Sequence, residues 1–504
     1  MNFPFFNTPF ALCDSYKLSH WTAFPEDVNY IYSNFTPRYT LLGDEIQHVV
    51  VFGIRAFCYK LIDTFEQRFF NLNGNEAVQD YVDFYTAFMG VAPAEADVKR
   101  VSDLWDLGEL PIAIHCLPEG SFVPHGVPVL VIENTVPGFH WLVGWVESWM
   151  SSELWHPMTS ATTASLYRIQ FDKYANLTSE QDFMPKFQGH DFSFRGQTCL
   201  EAAEKSGAGH ALFFTGSDTC PSLSWIMDNY NEDMEELPKE LIITSVPATE
   251  HSVMCAGGEE SEIDTISRLL DLHPTGILSV VSDTWDFWGV VTEILPKLKD
   301  RIMSRDGKYV VRPDSGDPVK IICGDPEAEV GTPEHDGLIE TLGNTFGYTV
   351  NSKGYKQLDS HIGAIYGDSI TLARQKAILE GLEAKGWSST NIVLGIGSFT
   401  YQYVTRDTHG FAMKATAVGK TDGTYMPIFK APKTDSGKNS ARGFLSVYMD
   451  PNECTWKVQQ NVPFEQRHGR MGCILRDGEV LEEETFEDIR KRAEIWLADK
   501  VDEA

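Results

Sequence analysis

Four short polar stretches in the second half of the chain each follow an apolar run: Ser282-Asp283, Arg312-Pro313-Asp314-Ser315-Gly316, Gly367-Asp368 and Gly395-Ile396-Gly397. Polar residues of these types can form a binding or catalytic site. Carboxylates accept hydrogen bonds from hydroxyls, arginine pairs with anions, and glycine lets backbone N–H groups approach a phosphate. One such stretch reads as an ordinary turn, since Asp, Gly and Ser are turn formers. Four at the ends of successive strands would converge on one face, where α/β barrels carry their active sites. A second concentration lies in residues 406–442. It holds Arg406, Lys414, Lys420, Lys430, Lys433, Lys438 and Arg442 against Asp407, Asp422 and Asp435. A solvated basic loop and a patch that recruits phosphates are both open readings.

Periodicity indicates the elements that position these residues. From about residue 190, short apolar runs recur: Leu241-Ile242-Ile243, Ile277-Leu278-Ser279-Val280-Val281, Tyr309-Val310-Val311, Ala364-Ile365-Tyr366 and Ile392-Val393-Leu394. Parallel strands buried on both faces read this way. Between them, Ile263, Ile266, Leu269 and Leu270 recur at helical spacing, as do Ala377, Ile378 and Leu382 behind Ser369 as an N-cap. The alternation predicts an α/β sheet or barrel. Residues 1 to about 150 read instead as sheet-rich, with clear strands at Val49-Val50-Val51-Phe52 and Val127-Pro128-Val129-Leu130-Val131-Ile132. Pro118-Glu119-Gly120 and Glu133-Asn134-Thr135 punctuate them. Residues 324–337 read as an acidic surface loop. From Leu481 an amphipathic helix is expected to pack through Phe486, Ile489, Ala493 and Trp496.

A length of 504 residues predicts two or three domains, and 42% hydrophobic residues are enough to fill their cores. With 72 acidic against 41 basic residues, the net charge of −31 excludes a general binder of nucleic acid or anionic membrane. A small anionic substrate needs only a local basic pocket. The nine cysteines are scattered, with no C-x-x-C, so neither a disulfide framework nor a zinc site is expected and a reducing compartment is favoured. The start, Met1-Asn2-Phe3-Pro4-Phe5-Phe6, lacks the basic and long apolar regions of a signal peptide, and no run approaches a membrane span. A cytoplasmic location is therefore expected. The sequons at Asn34 and Asn176 are then chance matches.

Six motifs occur in order: Asp14-Ser15-Tyr16-Lys17, His190-Asp191-Phe192-Ser193-Phe194-Arg195-Gly196, Gly216-Ser217-Asp218-Thr219, Ser245-Val246-Pro247-Ala248-Thr249-Glu250-His251-Ser252, Val281-Ser282-Asp283 and Arg312-Pro313-Asp314-Ser315-Gly316. Together the chain resembles the nicotinamide phosphoribosyltransferases, a family of type II phosphoribosyltransferases, from about Asp14 to Trp496. The resemblance implies transfer of phosphoribosyl from phosphoribosyl pyrophosphate to nicotinamide, giving nicotinamide mononucleotide and pyrophosphate. It implies an irregular α/β barrel plus a β-rich α+β domain formed by both chain ends, divided near 1–165, 166–400 and 401–504. It also implies a homodimer with shared active sites.

Residue by residue, the resemblance implies that Phe192 and the partner's Tyr16 sandwich the pyridine ring, with Arg195 beside them, as an electron-poor flat ring favours. Asp218 would accept the carboxamide NH2 and repel the carboxylate of nicotinate. Its rival role is a helix cap. Phe192 and Tyr16 have a rival role as core aromatics. Asp314 and Asp368 match positions that bind ribose hydroxyls, and Arg312 lies beside the substrate. The 5′-phosphate would sit near Gly367, Gly397 and Ser398, where the family has a longer glycine run and this chain has Ser398 and Phe399. Arg38, Arg406, Lys414 and Lys430 match cations from the partner subunit. Mg²⁺ would be held mainly by the diphosphate and water. His251 matches a residue phosphorylated by ATP, and Asp283 the acid that orients it. The bond-forming step needs no base, because the pyridine nitrogen already has a lone pair. Positioning and neutralisation of the leaving pyrophosphate carry it. Alternatives are a nicotinate phosphoribosyltransferase, a barrel glycoside hydrolase using its acid pair, and a non-catalytic binder. Asp218 argues against the first, the cation cluster against the second, and the joint presence of His251, Asp314 and Arg406 against the third.

Overall fold

The computed structural model describes residues 6–43, 46–230, 241–367, 369–434, 440–481 and 483–503. The chain forms two compact units. One contains Met1–Thr159, Met227–Met234 and Thr405–Ala493; the other contains Ser160–Ile226, Glu235–Val404 and Glu494–Ala504. No described helix is long and apolar enough to cross a membrane.

The first unit is built on a seven-stranded antiparallel sheet that interleaves both ends of the chain. Val28–Thr36 lies between Ala412–Lys420 and Leu130–Asn134, with Phe35 opposite Met413 on one side and Leu130 on the other. Ile112–Cys116 and Gly472–Arg476 continue the sheet. The basic segment is therefore no free loop. Its first half, Ala412–Lys420 and Tyr425–Pro427, is a hairpin of this sheet, whereas Asp435 and Lys438 lie outside the described residues. The expected strand at 127–132 begins only at Leu130, after Pro128, whose missing N–H cannot join the ladder. The strand expected at 49–52 is His48–Val50.

Beside the sheet lies an aromatic cluster of this unit's core. Phe10 packs against Phe65, Phe69, Tyr81, Trp141 and Trp145 with centroid separations of 5.1 to 5.9 Å. The acidic C-terminal helix, Phe486–Glu503, buries Phe486, Ile489, Ala493 and Leu497. Leu497 takes the place expected of Trp496, which is only half-buried. That helix passes so close to Gly120 that a Cβ there would lie 2.5 Å from the Ile489 carbonyl, and the φ of +83° also demands glycine.

The second unit is a parallel sheet in the order Gly216–Ser217, Gly189–Asp191, Ile392–Ile396, Ile362–Tyr366, Asp306–Arg312, Thr275–Val281. The predicted strand at 241–243 is not one. The chain instead bridges the sheet's two edges with single contacts, Thr244 to Gly216 and Ala248 to Ser279. Backbone bonds from Ser217 N–H to Thr244 O (3.0 Å) and from Ser279 N–H to Pro247 O (2.9 Å) close the ring through this irregular segment. Pro247 and the short reach of the segment leave no room for a full ladder. Leu372–Ala384 is helical as expected, but its N-cap is Thr371, whose hydroxyl accepts from the Arg374 N–H. Ser369 stands before it with a φ of +55°.

The first unit also holds an ion network that resembles a metal site in composition only. His115, Glu133 and His468 bring their ligand atoms within 4.8 Å of one another. The two imidazoles are stacked at 3.6 Å and 17°, so their in-plane lone pairs run nearly parallel instead of converging. Both Glu133 oxygens are bound by Arg467, at 3.0 and 3.1 Å. Burial and the neighbouring His468 hold His115 down to about 3. Burial does the same to His409, at about 3, with His125 adding to it, and to His140, at about 4, with Arg100 adding to it. Folded-state pKa values below the ordinary 6.5 mean that the unfolded chain binds the extra protons. Stability from these groups is full above pH 6.5 and is lost as the pH falls toward 4. The slope reaches up to about 1.4 kcal/mol per pH unit for each histidine. The melting temperature is expected to fall steadily between pH 6.5 and 4.5, and His140→Leu should flatten that fall. A melting temperature constant over this range would contradict the assignment.

Candidate active site

The C-terminal ends of the barrel strands bring one set of the sequence-predicted residues together. After Gly189–Asp191 the chain turns sharply. Asp191, fully buried, accepts the Ser193 N–H at 2.8 Å, and Phe192 N–H donates to Ile396 O at 2.9 Å. The half-buried Phe192 ring then lies flat on neighbouring strand ends that carry no side chain. A Cβ on Gly395 would come within 2.5 Å of the ring, and one on Gly367 within 2.6 Å of Asp314. These glycines serve close approach of side chains. Arg312 also lies near the ring, its guanidinium carbon 5.0 Å from the centroid.

Arg312 is held by a fork to Asp314, with its Nε 3.2 Å from Oδ1 and Nη2 3.1 Å from Oδ2. The Asp314 backbone N–H donates to Asp283 Oδ2 at 2.9 Å, and Asp283 Oδ1 lies 3.2 Å from His251 Nε2. Asp283 is 3% exposed and His251 49%. A buried carboxylate thus anchors an accessible imidazole at the start of the helix His251–Gly257.

Asp218 does not cap a helix. Its Oδ1 takes His190 Nε2 at 2.8 Å and the Ser245 hydroxyl, and among the described residues no hydrogen bond engages Oδ2. Burial by itself would raise this carboxyl. The His190 and Ser245 hydrogen bonds and the Arg312 charge outweigh it and hold the group below the ordinary carboxylate range. His190 and Ser245 each open one of the sequence motifs, and no role for them follows from the sequence. Their signal in the sequence is adjacency to other motif residues; the pairing of Gly189–Asp191 with Gly216–Ser217 and the isolated bridge at Thr244 bring them to Asp218. Arg195 is exposed in the single turn Phe194–Gly196. The Ser398 side chain fills the space over Gly196, where a Cβ would meet its Oγ at 2.1 Å. The serine therefore uses room that a bare residue 196 provides. Phe399 points outward, 63% exposed, stacked on Tyr403 at 5.3 Å. Asp368 lies outside the described residues.

The remaining predicted residues gather on the β-rich unit. A pocket of about 480 Å³ is lined by Tyr16, Arg38, Arg406 and Lys414, with Asp14 and Glu147. Tyr16 is 54% exposed and so is no core residue. The hairpin strand supplies Lys414, and Arg38 is fixed by donating its Nε–H to Gly410 O at 2.8 Å. Burial and the nearby cations Arg38, Lys430 and Lys17 hold the Lys414 ammonium below its usual range, with Glu147 opposing them. A cation cluster that repels itself in this way has its charge to offer to a bound polyanion.

Residues 187–470 match the Nicotinate phosphoribosyltransferase (NAPRTase) family, and residues 10–112 match the Nicotinamide phosphoribosyltransferase, N-terminal domain. A protein of Acinetobacter baylyi named nicotinamide phosphoribosyltransferase is 42% identical over 497 residues, covering 96% of this chain and 96% of that one. One of Mycoplasma pneumoniae with the same name is 33% identical over 447 residues, 86% of this chain and 94% of that one. The solved structure of nicotinate-nucleotide pyrophosphorylase from Pyrococcus furiosus shares the fold. It has a TM-score of 0.57 at 14% identity and covers 98% of this chain and 96% of that one. With one family profile spanning more than half of its length and relatives aligned along nearly all of it, the chain belongs to the nicotinate phosphoribosyltransferase family, in its nicotinamide phosphoribosyltransferase branch.

Proposed function

We propose a division of labour for the reaction this family membership brings, the transfer of phosphoribosyl from phosphoribosyl pyrophosphate to nicotinamide in NAD salvage. The barrel rim binds the pyridine and the ribose, and the cations of the β-rich unit bind the phosphates. The observation that carries this reading is the split itself: Phe192, Asp218, Asp283, Arg312 and Asp314 stand on the barrel, whereas Tyr16, Arg38, Arg406, Lys414 and Lys430 stand on the other unit. We take the two sets to meet across a homodimer, Tyr16 of one protomer closing the pyridine site of its partner. The scattered cysteines favour the cytoplasm for this work.

Phe192 presents a flat face to the ring, and Arg195 borders it. Asp218 offers the unengaged Oδ2 to the carboxamide NH2, while His190 and Ser245 keep it oriented and ionised. Nicotinate would set a second carboxylate against it at a cost in Coulomb repulsion. Asp314 binds the ribose hydroxyls, a role that the family resemblance gives to Asp368 as well. The backbone at Gly367, Gly397 and Ser398 takes the 5′-phosphate, and Arg38, Arg406, Lys414 and Lys430 take the pyrophosphate. Mg²⁺, when bound, would neutralise the leaving pyrophosphate. The rim carboxylates fit an indirect role toward it: Asp314 is forked to Arg312, and Asp283 is occupied on both oxygens. The ion would therefore be held by diphosphate and water, with these carboxylates reaching it through water. His251 is placed to accept a phosphoryl group from ATP. Asp283 fixes one ring nitrogen, which leaves the lone pair on the other, and the exposed imidazole is open to the nucleotide.

Asp218→Asn is expected to lower the ratio of kcat/KM for nicotinamide over nicotinate by one to two orders of magnitude, roughly the cost of one buried like-charge contact. An unchanged ratio removes Asp218 from substrate recognition. Co-expression of Tyr16→Ala with Arg312→Ala chains, each inactive alone, should restore about a quarter of wild-type activity through hybrid dimers with one intact site. Hybrids that stay inactive rule out a shared site. His251→Ala should keep slow synthesis of the mononucleotide and lose any stimulation by ATP, with no acid-labile phosphate on the protein. Wild-type protein that shows neither stimulation nor such phosphate would sink the phosphohistidine role and leave the transferase intact.

A further inference from the structure

Two polar side chains, neither assigned to a substrate, lie buried beneath the barrel rim. His210, 0% exposed, stands near the end of the helix Leu200–Ala211. Its Nε2 is 2.9 Å from the Gly216 carbonyl and its Nδ1 is 2.7 Å from the Tyr401 hydroxyl. The carbonyl can only accept, so Nε2 carries the hydrogen. In the neutral ring Nδ1 then accepts from the phenol. Burial holds the Tyr401 phenol far above its ordinary range, so it keeps the proton it donates. Gly216 lies two residues before Asp218, and Tyr401 closes the turn Ser398–Tyr401 that begins at Gly397. The adjacent Thr400 is held in the same way. The buried Tyr167 hydroxyl donates to Ile370 O at 2.8 Å and lies 3.1 Å from Thr400 Oγ1, tying the loop after Gly367 to the same turn.

Apolar side chains could fill these volumes without the cost of burying polar groups. What they could not do is join three separate strand-end loops by directional bonds. We infer that Tyr401 and His210 are positioning residues that couple the amide-recognising loop at Asp218 to the turn at Gly397 and Ser398, so that ordering one orders the other. The inference rests on the proposed placement of nicotinamide at Asp218 and of the 5′-phosphate at that turn.

Tyr401→Phe removes one oxygen and keeps the ring. In the full-length protein without substrates, amide hydrogen exchange is expected to speed up in both segments, 216–219 and 397–402. Faster exchange confined to 397–402 overturns the relay. Tyr401→Phe and His210→Gln break the same bond, since the glutamine amide can keep the Gly216 contact. In initial-rate assays each should raise the KM for nicotinamide and for phosphoribosyl pyrophosphate together, by about fivefold, the worth of one hydrogen bond. The double variant should be no worse than either single one. Effects that multiply in the double variant overturn the relay. Faster exchange in both segments with a raised KM for phosphoribosyl pyrophosphate alone supports the relay and overturns the placement of nicotinamide at Asp218.

Discussion

Burying a polar group is costly unless it is hydrogen-bonded, and the Asp283 side chain, 3% exposed, is bonded on both oxygens. One oxygen holds His251 and the other holds the backbone of Asp314. Asp314 forks onto Arg312, and Arg312 lies over Phe192. The line of contacts from His251 to the Phe192 ring thus hangs on one buried carboxylate joining adjacent strands. Loss of that anion would free the imidazole and the Asp314 turn together, which explains why an acid at the end of one strand matters to a ring on another.

Charge is organised against the average of the chain. A net charge of −31 repels anions at long range, and screening by salt confines that repulsion to roughly 8 Å under physiological conditions. Within that distance the local groups decide. Around Lys414, burial and the neighbouring cations Arg38, Lys430 and Lys17 hold its ammonium below the usual range. At Asp218 the balance is the reverse, with a carboxylate kept ionised by a histidine and a hydroxyl despite burial. One centre is thereby suited to a polyanion and the other to a neutral amide.

The barrel achieves this with irregular backbone. Its ring is closed by isolated bridges at Thr244 and Ala248 and not by a ladder. That frees residues 245–251 to carry side chains toward the rim, among them Ser245 and His251. The bare strand ends at Gly367 and Gly395 let Phe192, Arg312 and Asp314 settle where side chains would otherwise stand.

Much of this was legible in residue order. Apolar runs at 277–281, 309–311, 364–366 and 392–394 are strands, because burial on both faces selects such runs whatever their neighbours are. The motif residues that follow them lie at the barrel rim, since the C-terminal ends of parallel strands share one face. The excess of cations in residues 406–442 was also visible, being a matter of composition. Other features depended on contacts distant in sequence. Leu241-Ile242-Ile243 has the composition of a strand, yet the ring needs only two bridges there. The capping of Leu372–Ala384 by Thr371 instead of Ser369, and the burial of Leu497 in place of Trp496, are shifts of one or two residues that periodicity does not resolve. The pairing of Asp218 with His190 and Ser245, and of Tyr401 with His210, joins residues 27 to 191 positions apart. Local preference determined which segments are strands and helices, because a side chain's own hydration and backbone sterics act at short range. Which polar groups meet beneath the rim was left to the tertiary structure, because a hydrogen bond needs a partner that only strand order brings within 3 Å.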